Sequence, residues 1–478
     1  MCGIVVLAGK QAETLIPECI ERIKHRGPDE QVILTENEFA VGFQRLAING
    51  NVQAGRQPFK VEGWLGAING EIYNFSDLAY QYQLENHGCD TSVVLPLYLR
   101  LNEHIIEELD GFYSAVLIEP NRKYAICLRD AMGKKPLYVG NSQGEIFISS
   151  ELKAFKSIDW FETIPKGVSK VCLNTGAVTS VKSFSRFHST LSIKQALIEG
   201  VRKRLPNHNQ KVAIFLSGGL DSSLVASIAS KLRDDIVYFT LGNGDGDDLS
   251  AAHTVAQYLG LKNVVKIPLP KIAELPSLIS QVVYATESYN PSVVSNGLAT
   301  FLLAKAANKA GIKVVLTGEG ADELFGGYHN FSEVEPWKAT RDQLINDMTF
   351  TELRRLDMAC MAHSVEPRCP FLDKDVKALS DTLGYDELYS DGMNKVTLRT
   401  VFDDFLPSNI LLRKKVSCDV GSGIRSMVVN YLKRNGRNER DELLDIWKQH
   451  FQFDHSDGYF HLYPVFDSAI NARGKTHR

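Results

Sequence analysis

The chain has 478 residues, 44% hydrophobic and 23% charged, and a chain of that length exceeds what one core commonly holds, so two or more domains are expected. Its 53 basic and 57 acidic residues leave a formal net charge of -4 with no block of one sign, which gives nucleic-acid binding no electrostatic support. No apolar run nears the roughly 20 residues that span a bilayer, so no membrane partner is expected. Eight cysteines, at 2, 19, 89, 127, 172, 360, 369 and 418, show no Cys-x-x-Cys spacing, and the start lacks a secretory n-region and h-region. A soluble protein of a reducing, cytoplasmic compartment is expected.

Met1 to about Phe187 reads as short strands separated by Gly, Asn and Asp turns: Phe39 to Phe43, Trp64 to Ile68, Ser114 to Ile118, Tyr124 to Leu128 and Ile146 to Ser149. Helical spacing over Ile16 to Lys24 and Val93 to Leu101 makes this half α+β, with stacked sheets. From Ser192, a plausible N-cap for Ile193 to Leu205, helices of ten or more residues alternate with apolar strands at Val212 to Leu216, Ile236 to Leu241, Val264 to Ile267 and Val314 to Thr317. That is the pattern of a parallel sheet covered on both faces. The domains are placed at 1–188 and 189–478; past Tyr328 the chain reads as mostly helical, and from Asn435 it is polar with little assignable structure.

The first chemistry is at the start, Met1-Cys2-Gly3-Ile4. Removing the initiator methionine would put a thiol and a free α-amine on one residue, and α-amines titrate near pH ~8, so Cys2 would carry its own base. Such a nucleophile needs an oxyanion donor. Asn69-Gly70-Glu71, following the strand Gly66 to Ile68, could supply a side-chain amide and a backbone N–H at a strand end; taken alone, Asn69-Gly70 is a hairpin-turn signal. Arg45 could fork onto a substrate carboxylate and Asp90 could hold an ammonium, a pair of charges that suits glutamine.

Cys2-Gly3-Ile4, His25-Arg26-Gly27-Pro28-Asp29, Arg45-Leu46-Ala47-Ile48, Asn69-Gly70-Glu71-Ile72-Tyr73-Asn74 and Gly88-Cys89-Asp90 together resemble class II glutamine amidotransferases. The resemblance implies an N-terminal-nucleophile hydrolase fold that cleaves glutamine to glutamate and ammonia. It implies catalysis by Cys2 with Asn69 and Gly70, and glutamine held by Arg45, Leu46, Ile48, Asn69, Gly70, Glu71 and Asp90. His25 is read as structural.

The second chemistry follows the strand Val212 to Leu216, where Ser217-Gly218-Gly219-Leu220-Asp221-Ser222-Ser223 leads into a helix over Leu224 to Leu232. Exposed N–H groups and the dipole at a helix N-terminus favour phosphate, and the loop lacks the Gly-Lys-Ser/Thr ending of a P-loop, which points to attack at the α-phosphate with pyrophosphate leaving. A second carboxylate group, Gly318-Glu319-Gly320-Ala321-Asp322-Glu323, follows Val314 to Thr317. Asp221 and Asp322 at neighbouring strand ends would clamp Mg2+ on the pyrophosphate.

Ser-Gly-Gly-x-Asp-Ser resembles the pyrophosphatase loop of adenylating enzymes, and the order of motifs from Met1 to about Gly423 resembles glutamine-hydrolysing asparagine synthetases. That resemblance implies an α/β adenine-nucleotide hydrolase-like domain. In it Leu216, Ser217, Gly218, Gly219, Asp221, Ser222, Leu241, Thr317 and Gly318 contact ATP. Glu319 would face the adenylate intermediate, and Lys395 would stabilise the departing phosphates. Arg368-Cys369-Pro370-Phe371-Leu372-Asp373 is read as scaffold.

Glutamine, ATP and a carboxylate are then the small-molecule substrates, with ammonia passing between two sites of one polypeptide. Aspartate is the expected acceptor, and a sugar acid, peptide or nucleotide-linked acid the alternative. In well-known branches the acceptor segment carries Thr-Thr-x-Arg, whereas Glu287 to Gly297 has no Arg, so a guanidinium fork for the aspartate α-carboxylate is missing there. Nothing in the residues decides between a monomer and a homodimer.

Overall fold

The computed structural model describes residues 1–49, 54–85, 88–243, 247–328 and 337–461. The chain divides into two compact units, one of Met1–Ser185 with Lys448–Asp457, the other of Arg186–Trp447 with the stretch that begins at Gly458.

The first unit stacks two six-stranded antiparallel sheets. One runs Trp160–Thr163, Tyr138–Ser142, Glu145–Ser149, Cys2–Ala8, Phe39–Arg45, Glu30–Thr35; the other Val178–Lys182, Gly167–Cys172, Tyr124–Arg129, Gly111–Ile118, Trp64–Ile72, Phe59–Val61. Because strand side chains alternate between faces, Ile4 and Val6 enter the core shared with Ala67, Val116 and Cys127 of the second sheet. The opposite face of Cys2–Ala8 is covered by helix Ala12–Arg22, which explains why four consecutive apolar residues, Ile4 to Leu7, are all fully buried. Ile68, Ala115 and Leu128 turn outward from the second sheet onto Val94, Leu97 and Ile105. Helices therefore flank the stacked pair on both sides.

One expectation changes here. Asn69 and Gly70 lie inside the strand Trp64–Ile72, paired with Ser114 and Tyr113, and not at a strand end or in a hairpin turn. A side chain on Gly70 would place its Cβ 2.2 Å from the Phe112 carbonyl oxygen. The glycine therefore serves close approach between strands.

The second unit holds a five-stranded parallel sheet in the order Val264–Ile267, Val237–Leu241, Val212–Phe215, Val314–Leu316, Glu366–Arg368. The last strand went unread as a strand in the sequence because it spans three residues, Glu366-Pro367-Arg368, with Pro at its centre. Ser192 caps helix Ile193–Arg204 in a capping box with Gln195. The polar stretch after Asn435 contains helix Glu439–His450, which buries Leu443 and Trp447.

The order of strands fixes where a ligand can enter. From Val212–Phe215 the chain steps to one side for its next two strands and to the other for the last two. The carboxyl ends of Val212–Phe215 and Val314–Leu316 therefore border the topological switch point, where crevices in open parallel sheets lie.

Candidate active sites

In the first unit, Cys2 opens its strand directly across from Arg45. The Cys2 main-chain N–H donates to Asn69 Oδ1 at 2.9 Å. Asn69 is fully buried and its Nδ2 finds no acceptor among the described residues. A dry donor left unspent is what stabilising an oxyanion requires. The Gln57 side chain clips the same strand, accepting from the Ile68 N–H at 2.7 Å and donating to the Ile68 carbonyl at 3.2 Å and to Thr91 at 3.3 Å. Asp90 Oδ2 accepts from the Ile72 N–H at 3.0 Å, and Arg45 lies 3.6 Å from the Glu30 carboxylate.

Cys2, Arg45, Leu46, Ile48, Gly70, Glu71 and Asp90 line one cavity together with Met1. With Met1 in place that cavity measures about 30 Å3, room for a water or two and not for a glutamine side chain. The Met1 carbonyl accepts from the Leu46 N–H at 3.0 Å, and its sulfur touches Lys135. Burial raises the Cys2 thiol above its ordinary pKa, while the positive amino terminus, the Leu46 N–H and Arg45 pull it back. His25 sits outside this cavity lining: its Nε2 lies 2.8 Å from Glu151, a buried carboxylate that also binds Arg26 at 2.6 Å and Lys153 at 2.8 Å.

In the second unit, a cavity of about 420 Å3 opens at the switch point. Its lining includes Leu216, Ser217, Asp221, Ser222, Leu241, Thr317, Gly318, Glu319, Asp322 and Lys395. Gly219 also lines it, as the N-cap of helix Leu220–Leu232, which starts four residues earlier than the spacing suggests and so puts Asp221 in its first turn. Gly218 is not among the lining residues. Its φ of +73° and a Cβ position 2.4 Å from the Ala252 nitrogen make it the turn that lets the loop pack on helix Asp247–Leu259.

Lys395 Nζ lies 2.7 and 2.6 Å from the two Asp221 oxygens and 2.6 Å from Asp322 Oδ1, while Lys415 contacts Asp322 Oδ2. Burial raises the Asp221 carboxyl. Burial also acts on Asp322, but Lys395 and Lys415 outweigh it and hold that carboxyl well below its ordinary range. Among the described residues no group of three or more His, Cys, Asp or Glu side chains could hold a metal ion. Two hard carboxylates around one cation position nevertheless suit Mg2+, which is bound through one or two carboxylates with substrate phosphates completing its shell.

The sequence reading missed much of the remaining wall. Lys415 escaped notice because Arg413-Lys414-Lys415 looks like a solvated basic run. Arg355 reaches the cavity from helix Glu352–Met361, donates to Thr300 Oγ1 at 2.8 Å and pairs with Glu319. So a guanidinium does enter the cavity, from a different element than Glu287 to Gly297. In that segment Ser295 is fully buried and donates to Asp419 Oδ2 at 2.7 Å. Behind the wall, burial, with Glu352 and Asp322 adding, pushes Glu323 up to about 8, and the Tyr328 hydroxyl donates to it at 2.6 Å.

A two-sheet unit whose second residue is a cysteine tied to a buried amide, continued by a parallel-sheet unit with a charged switch-point cavity, defines a two-part ligase architecture. A family model described as glutamine amidotransferase domain matches residues 1–213, and one described as asparagine synthase matches 192–346 and 344–451. A probable glutamine-hydrolysing asparagine synthetase of Acanthamoeba polyphaga mimivirus is 30% identical, over 87% of this chain and 84% of its own length. Asparagine synthetases of Lotus japonicus and Zea mays are each 31% identical, over 88% of this chain and 78% of theirs. The chain belongs to the glutamine-hydrolysing asparagine synthetase family, and is a glutamine-dependent amidotransferase of that type.

Proposed function

We propose that this chain forms asparagine from aspartate, with glutamine as nitrogen donor and ATP cleaved to AMP and pyrophosphate. Excision of Met1 would enlarge the glutamine cavity and leave the Cys2 α-amine to take the thiol proton. Cys2 Sγ then attacks the glutamine amide carbon, the Asn69 amide and Gly70 N–H receive the oxyanion, and ammonia leaves before water releases glutamate. Arg45 and Asp90 hold the two charged ends of glutamine.

In the second unit the aspartate β-carboxylate attacks the α-phosphorus, pyrophosphate departs, and ammonia displaces AMP from the acyl adenylate. Mg2+ would be held by Asp221 and Asp322 and would supply charge neutralisation on the leaving pyrophosphate. Lys395 meets the same developing charge. Glu319, beside the acyl group, takes a proton from the attacking nitrogen.

The observation that carries this reading is the Asp221–Lys395–Asp322 bridge at the carboxyl ends of neighbouring strands, since two acids around one cation position serve a departing pyrophosphate. A specific observation favours a second reading, amidation of a different carboxylic acid. Ser295 spends its hydroxyl on Asp419 in the segment where the resemblance puts an aspartate-binding arginine. The test is product analysis by mass spectrometry with glutamine, ATP and Mg2+. Asparagine, AMP and pyrophosphate are expected from aspartate; AMP and pyrophosphate appearing only with another acid would sink the aspartate reading.

A further inference from the structure

Two lysines face Asp322, and they are held in different ways. Lys395 is 2% exposed and takes a left-handed backbone, φ 55°, at the start of helix Val396–Val401. Its neighbour Asn394 donates to the Gly327 carbonyl and accepts from Arg399, at 2.6 and 2.7 Å. That ammonium is fixed, and it faces both oxygens of Asp221 and Oδ1 of Asp322. Lys415 stands in 412–417, irregular backbone between helices Ser408–Leu411 and Cys418–Gly421, with its side chain 27% exposed. It takes Oδ2 of Asp322, the oxygen that Lys395 leaves.

Every carboxylate oxygen a divalent cation would want thus faces an ammonium, and two ammonium groups match two carboxylates in charge. A bare Mg2+ ion would have to expel an ammonium into a cavity where the acids Glu319 and Asp248 are already paired with Arg355 and Arg413. A Mg2+ ion arriving on a triphosphate brings the anion with it. The freer of the two lysines, on the irregular segment, is the one that can move.

We propose that Lys415 is an exchangeable counter-ion, holding the place of the divalent cation on Asp322 until a metal-bound nucleoside triphosphate displaces it. Metal binding is then conditional on nucleotide by construction. The inference rests on the proposed role of Asp322 as a metal ligand.

Mn2+ shares Mg2+'s preference for carboxylate oxygen, and the unbound ion can be counted by its paramagnetic signal. The full chain is titrated with Mn2+ without nucleotide. Lys415→Met should bind Mn2+ about tenfold more tightly than the unaltered protein, because one contacting charge pair near the surface is worth about a decade or more in affinity. Lys415→Arg, which keeps the charge, should bind as weakly as the unaltered protein, and adding Asp322→Asn to Lys415→Met should remove the gain.

No gain in Lys415→Met, or a gain that survives Asp322→Asn, overturns the proposal. Should Lys415→Met lose its cooperative thermal melt, Lys415→Gln carries the same test. A parallel titration with α,β-methylene-ATP separates two failures. If Asp322→Asn alone leaves that Mn2+ binding intact, the metal-ligand reading falls; if it abolishes binding while Lys415→Met shows no gain, only the exchange falls.

Discussion

The two cavities are built on opposite plans. The amino-terminal one is small, and the hydrogen bonds that hold its strands are already set: Asn69 Oδ1 on the Cys2 N–H, Gln57 on both main-chain groups of Ile68, Asp90 on the Ile72 N–H. The carboxy-terminal one is more than ten times larger and lined by helix residues and loops whose charges are paired with one another, Lys395 with Asp221 and Asp322, Arg355 with Glu319. The contrast fits the chemistry proposed for each. A covalent attack on one amide requires donors fixed within tenths of an ångström before the substrate arrives. A site for a polyanion requires charge, which in a half-buried cavity is held against internal partners until the ligand replaces them.

Substitutions can break that comparison, and the largest effect should come from the nucleophile. Cys2→Ala should lower glutamine-dependent amide formation by on the order of 10^4 or more, while synthesis with ammonium salts stays within about twofold, on the view that the two sites act separately. Product formation with each nitrogen source, followed side by side, checks this, and equal loss with both would mean that the cavities are not separable. Asn69→Ala is the next largest. Removing one oxyanion donor should cost about 10^2 to 10^3 in the kcat of glutamine hydrolysis, with KM for glutamine little changed; a change confined to KM would reassign Asn69 to binding.

Thr300→Val should be the mildest. It deletes the hydrogen bond that steadies Arg355 and leaves the volume unchanged, so KM for the acceptor acid should rise about fivefold, in line with one net hydrogen bond. Glutamine hydrolysis measured alone should not move. If it does, the internally paired cavity is not the independent module that the contrast describes.

The legible parts of this molecule were those written in contiguous residues. Ser192 announced a helix start because an N-cap is a local pattern, and Val212 to Leu216 followed by Ser-Gly-Gly-x-Asp-Ser announced a strand, turn and helix for the same reason. Asn69-Gly70 misled because its local turn preference was overridden by the neighbouring strand: Leu65 to Ile72 are paired with Gly111–Ile118 without a break. Arg355, Thr300 and Lys415 were illegible, since a buried arginine, a helical threonine and a lysine in a basic run look like surface residues until the chain folds around them.

The sequence by itself determined the two sets of motifs and their order, because each lies in side chains adjacent in the chain: the thiol at position 2, the Ser-Gly-Gly-x-Asp-Ser turn between strand and helix, the acidic turn after Val314–Leu316. Tertiary structure alone decided the partners of those groups. Strand pairing brought Arg45 opposite Cys2, and the parallel sheet set Asp221 and Asp322 around one lysine from far along the chain. The reason is physical: motif chemistry is set by covalent neighbours, whereas electrostatic pairing and burial are set by distances that exist only once the sheets have closed.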